Sequence, residues 1–128
     1  MTCHIISLVK DVFPKTKVFV GGPEVSYTAR KVLEDCPQID YVLQGEGEVM
    51  VPDFLTALEK GGDGTEIPGV LGRIDGTIKG DETFQEIDDL DSLPFPYENQ
   101  DFRDLDHRIM YYESSRGCPS TASTACRA

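Results

Sequence analysis

The chain has 128 residues, enough for one domain with a single core and too few for two large ones. Its 12 basic and 23 acidic residues give a formal net charge of -11. This balance argues against binding to nucleic acid or to an anionic membrane, because both reward clustered Lys and Arg. No apolar run approaches the roughly 20 residues needed to cross a bilayer, and residues 1–10 lack the pattern of a secretion signal. We therefore predict a cytoplasmic protein with reduced thiols and with no nucleic-acid or membrane partner.

The first 60 residues alternate helical and strand patterns. A helix over 4–13 is predicted by an apolar face at helical spacing, made of Ile5, Ile6, Val9, Val12 and Phe13. Residues 17–20 and 40–44 are short apolar runs that predict buried strands. A helix over 27–36, with Ser26 as N-cap, lies between them, and another covers 48–60. This order predicts a parallel sheet with right-handed crossovers and with strands covered on both faces.

The pattern changes after residue 62. Residues 70–74 and 77–79 flank Asp75-Gly76, a strong signal for a type I′ hairpin turn. Residues 81–107 are acidic and show little periodicity, which predicts a solvated connector, and residues 108–113 resume as a strand candidate. The predicted fold class is α/β: an incomplete Rossmann-like (flavodoxin-like) parallel sheet flanked by helices, followed by a β-hairpin and an acidic connector.

Two glycine loops follow the two predicted strands. One contains Gly21, Gly22, Pro23 and Glu24; the other contains Gly45, Glu46, Gly47 and Glu48. Ligands bind at the carboxyl ends of strands in open α/β sheets, and glycine lets them approach the backbone closely. Glu46 and Glu48 argue against a phosphate cradle, and the usual nucleotide fingerprints are absent from the sequence. Spacing alone leaves two interpretations open, a ligand site and a pair of tight strand-to-helix turns.

Five short motifs in order resemble those of cobalamin-binding radical SAM proteins. They are Val18–Ser26, Gln44–Glu48, Ile67–Val70, Leu93–Pro96 and Glu113–Pro119. That family includes methyltransferases and the anaerobic magnesium-protoporphyrin monomethyl ester cyclase. The resemblance implies a partial cobalamin-binding domain over 1–80, an acidic connector over 81–107, and the start of a radical SAM domain over 108–128 with an altered, disordered tail.

The resemblance also implies roles for individual residues. The eight residues of the two glycine loops would border the cobalamin, and Cys118 would be the first of three thiolates that hold a 4Fe-4S cluster for S-adenosylmethionine. The family spacing then requires cysteines at positions 122 and 125, where this chain has Ala122 and Ala125, while Cys126 stands one residue late. Cys118 is therefore a vestigial cluster ligand, and we predict neither an intact cluster nor radical chemistry in this chain.

The resemblance further implies that a strand, a helix and a strand are missing before residue 4. Exposed sheet edges would result, and they favour a homodimer through the sheet; the remainder of the radical SAM domain is the other expected partner. His4 and His107 are predicted to face solvent. The alternatives are a flavodoxin-like interaction or regulatory domain without a cofactor, and an enzyme that uses Glu46 and Glu48 as acid and base.

Overall fold

The structure is a computed structural model that describes residues 2–84, 86–95, 97, 108–109, 111, 113 and 115–116. The chain forms two compact units, Met1–Ile87 and Asp88–Ala128. The first unit contains α1 (Thr2–Val12), β1 (Phe19–Gly21), α2 (Pro23–Ser26), α3 (Ala29–Asp35), β2 (Tyr41–Leu43), α4 (Gly47–Glu59), β3 (Val70–Ile74) and β4 (Thr77–Gly80). None of the helices in the described part of the chain is long and apolar enough to cross a membrane.

The second unit contributes a short 3-10 turn, Leu90–Ser92, within the region predicted to be a connector. Residues 108–109, 111 and 113 of the predicted last strand are described, and none of these lies in a strand. His107, Cys118, Ala122, Ala125 and Cys126 lie outside the described residues.

The four strands form one sheet in the order β1-β2-β3-β4. β1 and β2 are parallel, with Phe19 beside Tyr41, which confirms the predicted βα repeat. β3 runs antiparallel to β2, with Leu43 beside Val70, and β4 returns antiparallel to β3. The hairpin, which we predicted to follow the sheet, therefore forms its second half, and the sheet is mixed.

The segment between α4 and β3 explains this antiparallel entry. Gly64 lies against the Phe54 ring, and Gly69 lies against the backbone of Gln44 just beyond the end of β2. The segment therefore runs back along α4, and the chain enters β3 beside the carboxyl end of β2. The hairpin turn itself is as predicted, because Asp75 and Gly76 have the positive φ angles, 51° and 78°, that a type I′ turn requires.

Two apolar clusters lie on opposite faces of the sheet. Val42 and Leu71 point to the α3 face, where they pack with Ile6, Ala29, Leu33, Cys36 and Ile39. Tyr41, Leu43 and Val70 point to the α4 face, where they pack with Met50 and Phe54. β2 is therefore covered on both faces, as predicted. β1 is not, because it ends the sheet and Phe19 remains 43% exposed.

The apolar face predicted for the first helix is largely exposed. Of its five members only Ile6 is buried, while Val12 is 68% and Phe13 61% exposed. The flank that carries Ile6 and Lys10 faces the domain instead, and there Lys10 Nζ forms an ion pair with Asp40 Oδ2, 2.5 Å long. The same Asp40 oxygen accepts a hydrogen bond from the Val18 backbone nitrogen at 2.7 Å.

The helix predicted over 27–36 corresponds to α3, and a short helix that was not predicted, α2, precedes it across a turn at Tyr27-Thr28. Pro23 starts α2 directly after Gly22, since proline suits the first turn of a helix. Ser26 is the last residue of α2 and is buried, and Thr28 occupies the N-cap position of α3. The prediction of Ser26 as N-cap was therefore wrong.

Candidate ligand edge at the ends of the parallel strands

The two predicted glycine loops follow neighbouring strands at one edge of the sheet. β1 ends at Gly21, which pairs with Leu43 at the end of β2. Because the strands are parallel, Gly22 and the Gly45–Glu48 loop both leave the sheet at its carboxyl edge. We call this edge, with its two loops, the ligand edge.

The first loop is compact and carries no side chain at Gly22. Gly22 has φ 98°, and a Cβ atom built there would have no neighbour within 4 Å. Its carbonyl oxygen accepts hydrogen bonds from the backbone nitrogens of Val25 and Ser26, both at 3.1 Å, and from Ser26 Oγ at 2.8 Å. The start of α2 thus holds this loop in place, while the space beside Gly22 stays open to an incoming ligand.

The second loop is anchored through its neighbours. The Gln44 side chain is buried, and its Nε2 donates a hydrogen bond to the Asp81 carbonyl oxygen at 3.3 Å. The Gln44 backbone nitrogen donates to the Gly69 carbonyl oxygen at 2.8 Å. Gly45 has φ 95°, a conformation that favours glycine. Glu46 Oε2 accepts a hydrogen bond from the Ile87 backbone nitrogen at 2.9 Å.

The start of α4 carries negative charge at this edge. Gly47 begins the helix, Glu46 is at its N-cap, and Glu48 lies in its first turn. Carboxylates at a helix N-terminus are favourable, because the helix dipole is positive there. They also disfavour an anionic ligand at the same place, which agrees with the sequence argument against a phosphate cradle.

A segment beyond the hairpin also reaches this edge. Residues 81–84 and 86–87, which we call the edge strap, belong to the first compact unit although the sequence placed them in the solvated connector. The Phe84 ring stacks on Tyr27, with ring centroids 5.5 Å apart and an interplanar angle of 8°. The apolar residues Phe84 and Ile87, three apart among acids, were a signal that the sequence analysis missed.

A small cavity of about 230 Å³ lies between α4 and the end of the edge strap. Its lining is apolar with an acidic rim: Glu46, Val49, Met50, Asp53, Ile67, Pro68, Glu86 and Ile87. This volume suits a small molecule, so a large ligand would have to lie across the open edge. No group of three or more metal-ligating side chains converges among the described residues.

The groups with perturbed pKa values have structural causes. Burial raises the pKa of Tyr41, with the nearby charges of Asp63 and Asp40 adding to the effect. Hydrogen bonds from the Thr65 side chain and backbone nitrogen lower the pKa of Asp63. Burial, followed by the neighbouring Cys3 thiol, raises the pKa of Cys36. None of these groups lies in the two glycine loops.

Comparison with known proteins finds one family model and several relatives that are similar to this chain. The family described as the B12 binding domain matches residues 1–55. An uncharacterized methyltransferase of Pyrococcus horikoshii is 29% identical over 124 residues, covering 90% of this chain and 26% of the relative. The anaerobic magnesium-protoporphyrin IX monomethyl ester cyclase of Synechocystis is 28% identical over 123 residues, covering 93% of this chain and 25% of the relative.

A third relative carries both cofactors in its name. It is the cobalamin-dependent radical SAM methyltransferase TokK of Streptomyces tokunonensis, 29% identical over 128 residues, or 93% of this chain and 19% of the relative. The chain thus spans about a quarter or less of the length of these relatives. Together with the match of residues 1–55 to the B12 binding domain and the α/β fold around it, they confirm the resemblance found in the sequence to the cobalamin-binding domain of cobalamin-dependent radical SAM proteins.

Proposed function

We propose that this chain is the cobalamin-binding module of a radical SAM enzyme, and that cobalamin lies across the ligand edge. The observation that carries the proposal is the placement of two glycine loops side by side, one of them open at Gly22, with both loops inside the B12-matching segment. Gly21, Gly22, Pro23 and Glu24 would border one side of the cofactor, and Gly45–Glu48 the other. The cytoplasmic location inferred from the sequence belongs to the same proposal.

The chemistry of the edge fits this cofactor. The rim of cobalamin carries carboxamide groups, which donate to carboxylate and carbonyl oxygens and accept from backbone nitrogens. Glu46 and Glu48 supply acceptors on one side, and the exposed backbone beside Gly22 supplies main-chain groups on the other. A corrinoid is far larger than the 230 Å³ cavity, so the open edge is the better fit. When bound, cobalamin supplies cobalt chemistry, while the protein supplies binding and orientation.

Titration with hydroxocobalamin tests this proposal. We expect the absorption spectrum of the cofactor to change on binding, and we expect Gly22→Ala to weaken binding on the order of tenfold, since about 1.4 kcal/mol of lost contact gives that factor. Gly76→Ala is the matched control: Gly76 has φ 78°, and a Cβ there also has no neighbour within 4 Å, but it lies in the hairpin turn. The control should bind like the unchanged chain.

An unchanged spectrum at near-millimolar hydroxocobalamin would contradict the proposal. It would favour the alternative of a flavodoxin-like interaction or regulatory domain without a cofactor. Equal affinity of Gly22→Ala and Gly76→Ala for hydroxocobalamin would show that the cofactor does not lie against the first loop.

We further propose that the chain, with its present sequence, holds no 4Fe-4S cluster and is catalytically inactive. A radical SAM methyltransferase or oxidative cyclase is the proposed parent activity, supported by the names of the relatives. Ala122 and Ala125 replace two of the three thiolates that the family spacing requires. Anaerobic reconstitution with iron and sulfide should leave the chain without bound iron, and Ala122→Cys/Ala125→Cys should gain it. Stable iron in the unchanged chain would overturn this part.

A homodimer through β1 is also proposed. β1 ends the sheet and presents Phe19 and Val20, whereas Lys79 on β4, at the other end, is the kind of charge that protects an edge. Sedimentation at several concentrations should show a dimer that Phe19→Lys abolishes and Thr77→Lys, on β4, preserves. A monomer at all concentrations would rule it out.

A further inference from the structure

The edge strap begins where β4 ends and crosses the amino end of β3 and the carboxyl end of β2. The Asp81 backbone nitrogen donates to the Val70 carbonyl at 3.3 Å. The Asp81 carbonyl then accepts from Gln44 Nε2. The Thr83 carbonyl lies 2.9 Å from the position that a Cβ on Gly69 would occupy, so strap and sheet edge are in close contact here.

The strap also contacts the elements that carry both glycine loops. On the side of the first loop, Phe84 stacks on Tyr27, the residue after α2, and Glu82 Oε1 accepts from Arg30 Nε at 2.7 Å in the first turn of α3. On the side of the second loop, the Ile87 backbone nitrogen donates to Glu46. One short segment therefore links the supports of the two loops.

The two links on the side of the first loop are exposed, and links of this kind break without unfolding the domain. Tyr27 is 69% and Phe84 38% exposed, and both partners of the Arg30–Glu82 pair are about half exposed. Exposed ion pairs contribute little to stability. Segments held by few buried contacts open locally while the core stays folded. Within the strap, Asp81 Oδ1 accepts hydrogen bonds from the Thr83 hydroxyl at 2.6 Å and from the Thr83 backbone nitrogen at 2.9 Å. This Asx-type turn keeps the strap itself ordered.

We propose that the edge strap is a gate on the ligand edge: it holds the two glycine loops together, and it lifts as one unit to admit and release the cofactor. The inference rests on the proposed cobalamin site, because the strap contacts the supports of both loops that would border the cofactor. Closing segments of this kind commonly set the rates of entry and release.

Phe84→Ala tests the gate, because it removes the ring that joins the strap to Tyr27. Phe13→Ala is the matched control: it removes an aromatic ring that is also exposed, at the end of α1 and before the start of β1. Stopped-flow mixing with hydroxocobalamin should show association and dissociation both faster in Phe84→Ala, by about threefold to tenfold, the factor that one aromatic pair is worth. Phe13→Ala should leave both rates unchanged.

Hydrogen exchange without any cofactor gives an independent measurement. In Phe84→Ala, the Ile87 amide and the amides of 44–48 should exchange faster by the same factor, because the strap lifts as a unit. Unchanged exchange at these amides, or unchanged cofactor rates in a chain that binds cobalamin, would overturn the gate. If the unchanged chain fails to bind hydroxocobalamin, the proposed function falls, and the exchange measurement alone then decides whether the strap opens as one unit.

Discussion

Gly69 lies at the junction of the ligand edge and the edge strap, and substitution by Ala tests how tightly the two are packed. Its φ is 83°. A Cβ there would lie 2.8 Å from the Gln44 carbonyl oxygen, 2.9 Å from the Thr83 carbonyl oxygen and 3.3 Å from Met50 Sδ. Two of these neighbours are backbone atoms, so neither can move without shifting the end of β2 or the strap.

Gly61→Ala is a control that separates backbone strain from crowding. Gly61 has almost the same φ, 82°, but a Cβ there would have no neighbour within 4 Å. The left-handed conformation costs a non-glycine residue about 1–2 kcal/mol, and the stiffer unfolded chain offsets about 0.4–1 kcal/mol of that. We therefore expect Gly61→Ala to lower the free energy of unfolding by about 1 kcal/mol.

Crowding adds to this cost at Gly69. Forcing extra atoms into a packed site typically costs about 1–3 kcal/mol, so Gly69→Ala should lower the free energy of unfolding by about 2–4 kcal/mol in total. Urea denaturation followed by circular dichroism measures both variants under the same conditions. Equal destabilisation of the two variants would show that Gln44 and Thr83 do not enclose Gly69, and the contact between strap and sheet would be refuted.

Three other predictions follow from single contacts. Cys36 is buried and its pKa is raised, so iodoacetamide at neutral pH should label the exposed Cys3 before Cys36, as measured by peptide mass mapping. The free energy of unfolding should fall as pH rises past the ordinary thiol pKa, because the folded state keeps the proton of Cys36 longer. Thr65→Val should raise the pKa of Asp63, as measured by NMR titration. In the unchanged chain, the lowered pKa of Asp63 stabilises the fold at pH values above the ordinary carboxyl pKa, and this contribution is lost as pH falls. Phe54→Ala removes a fully buried ring and should lower the free energy of unfolding by about 3–5 kcal/mol in urea; a loss below 1 kcal/mol would contradict the packing described for the α4 face.

Local patterns predicted most of the elements because their causes are local. Apolar runs of four to five residues identified both parallel strands, and the spacing of Ala29, Leu33 and Cys36 identified the buried face of α3. Asp75-Gly76 determined the hairpin, since few residue pairs tolerate two positive φ angles. The order of the five motifs predicted a resemblance to cobalamin-binding radical SAM proteins, which the match of residues 1–55 to the B12 binding domain and the similarity to a cobalamin-dependent radical SAM methyltransferase support.

The sequence predicted the two glycine loops of the candidate site but not what holds them. Gly22 and Gly45 were recognisable from their positions after the strands. Gln44, Tyr27 and the strap residue Phe84 were not, because their partners lie 37 to 57 residues away along the chain. Such contacts depend on the path of the whole chain, so the sequence near one partner does not identify the other.

What the sequence by itself determined is therefore the order of the main helices and strands, the hairpin turn, the positions of the two glycine loops and the family resemblance. The tertiary structure alone decided three further features: the antiparallel entry of β3, the exposed apolar face of α1, and the path of the edge strap across the ligand edge. Each depends on a distant contact: Leu43 with Val70 in the sheet, Lys10 with Asp40 at α1, and Glu46 with the Ile87 nitrogen at the strap. Hydrogen bonds and ion pairs of this kind are directional and nonlocal, so they become visible only when the chain has folded.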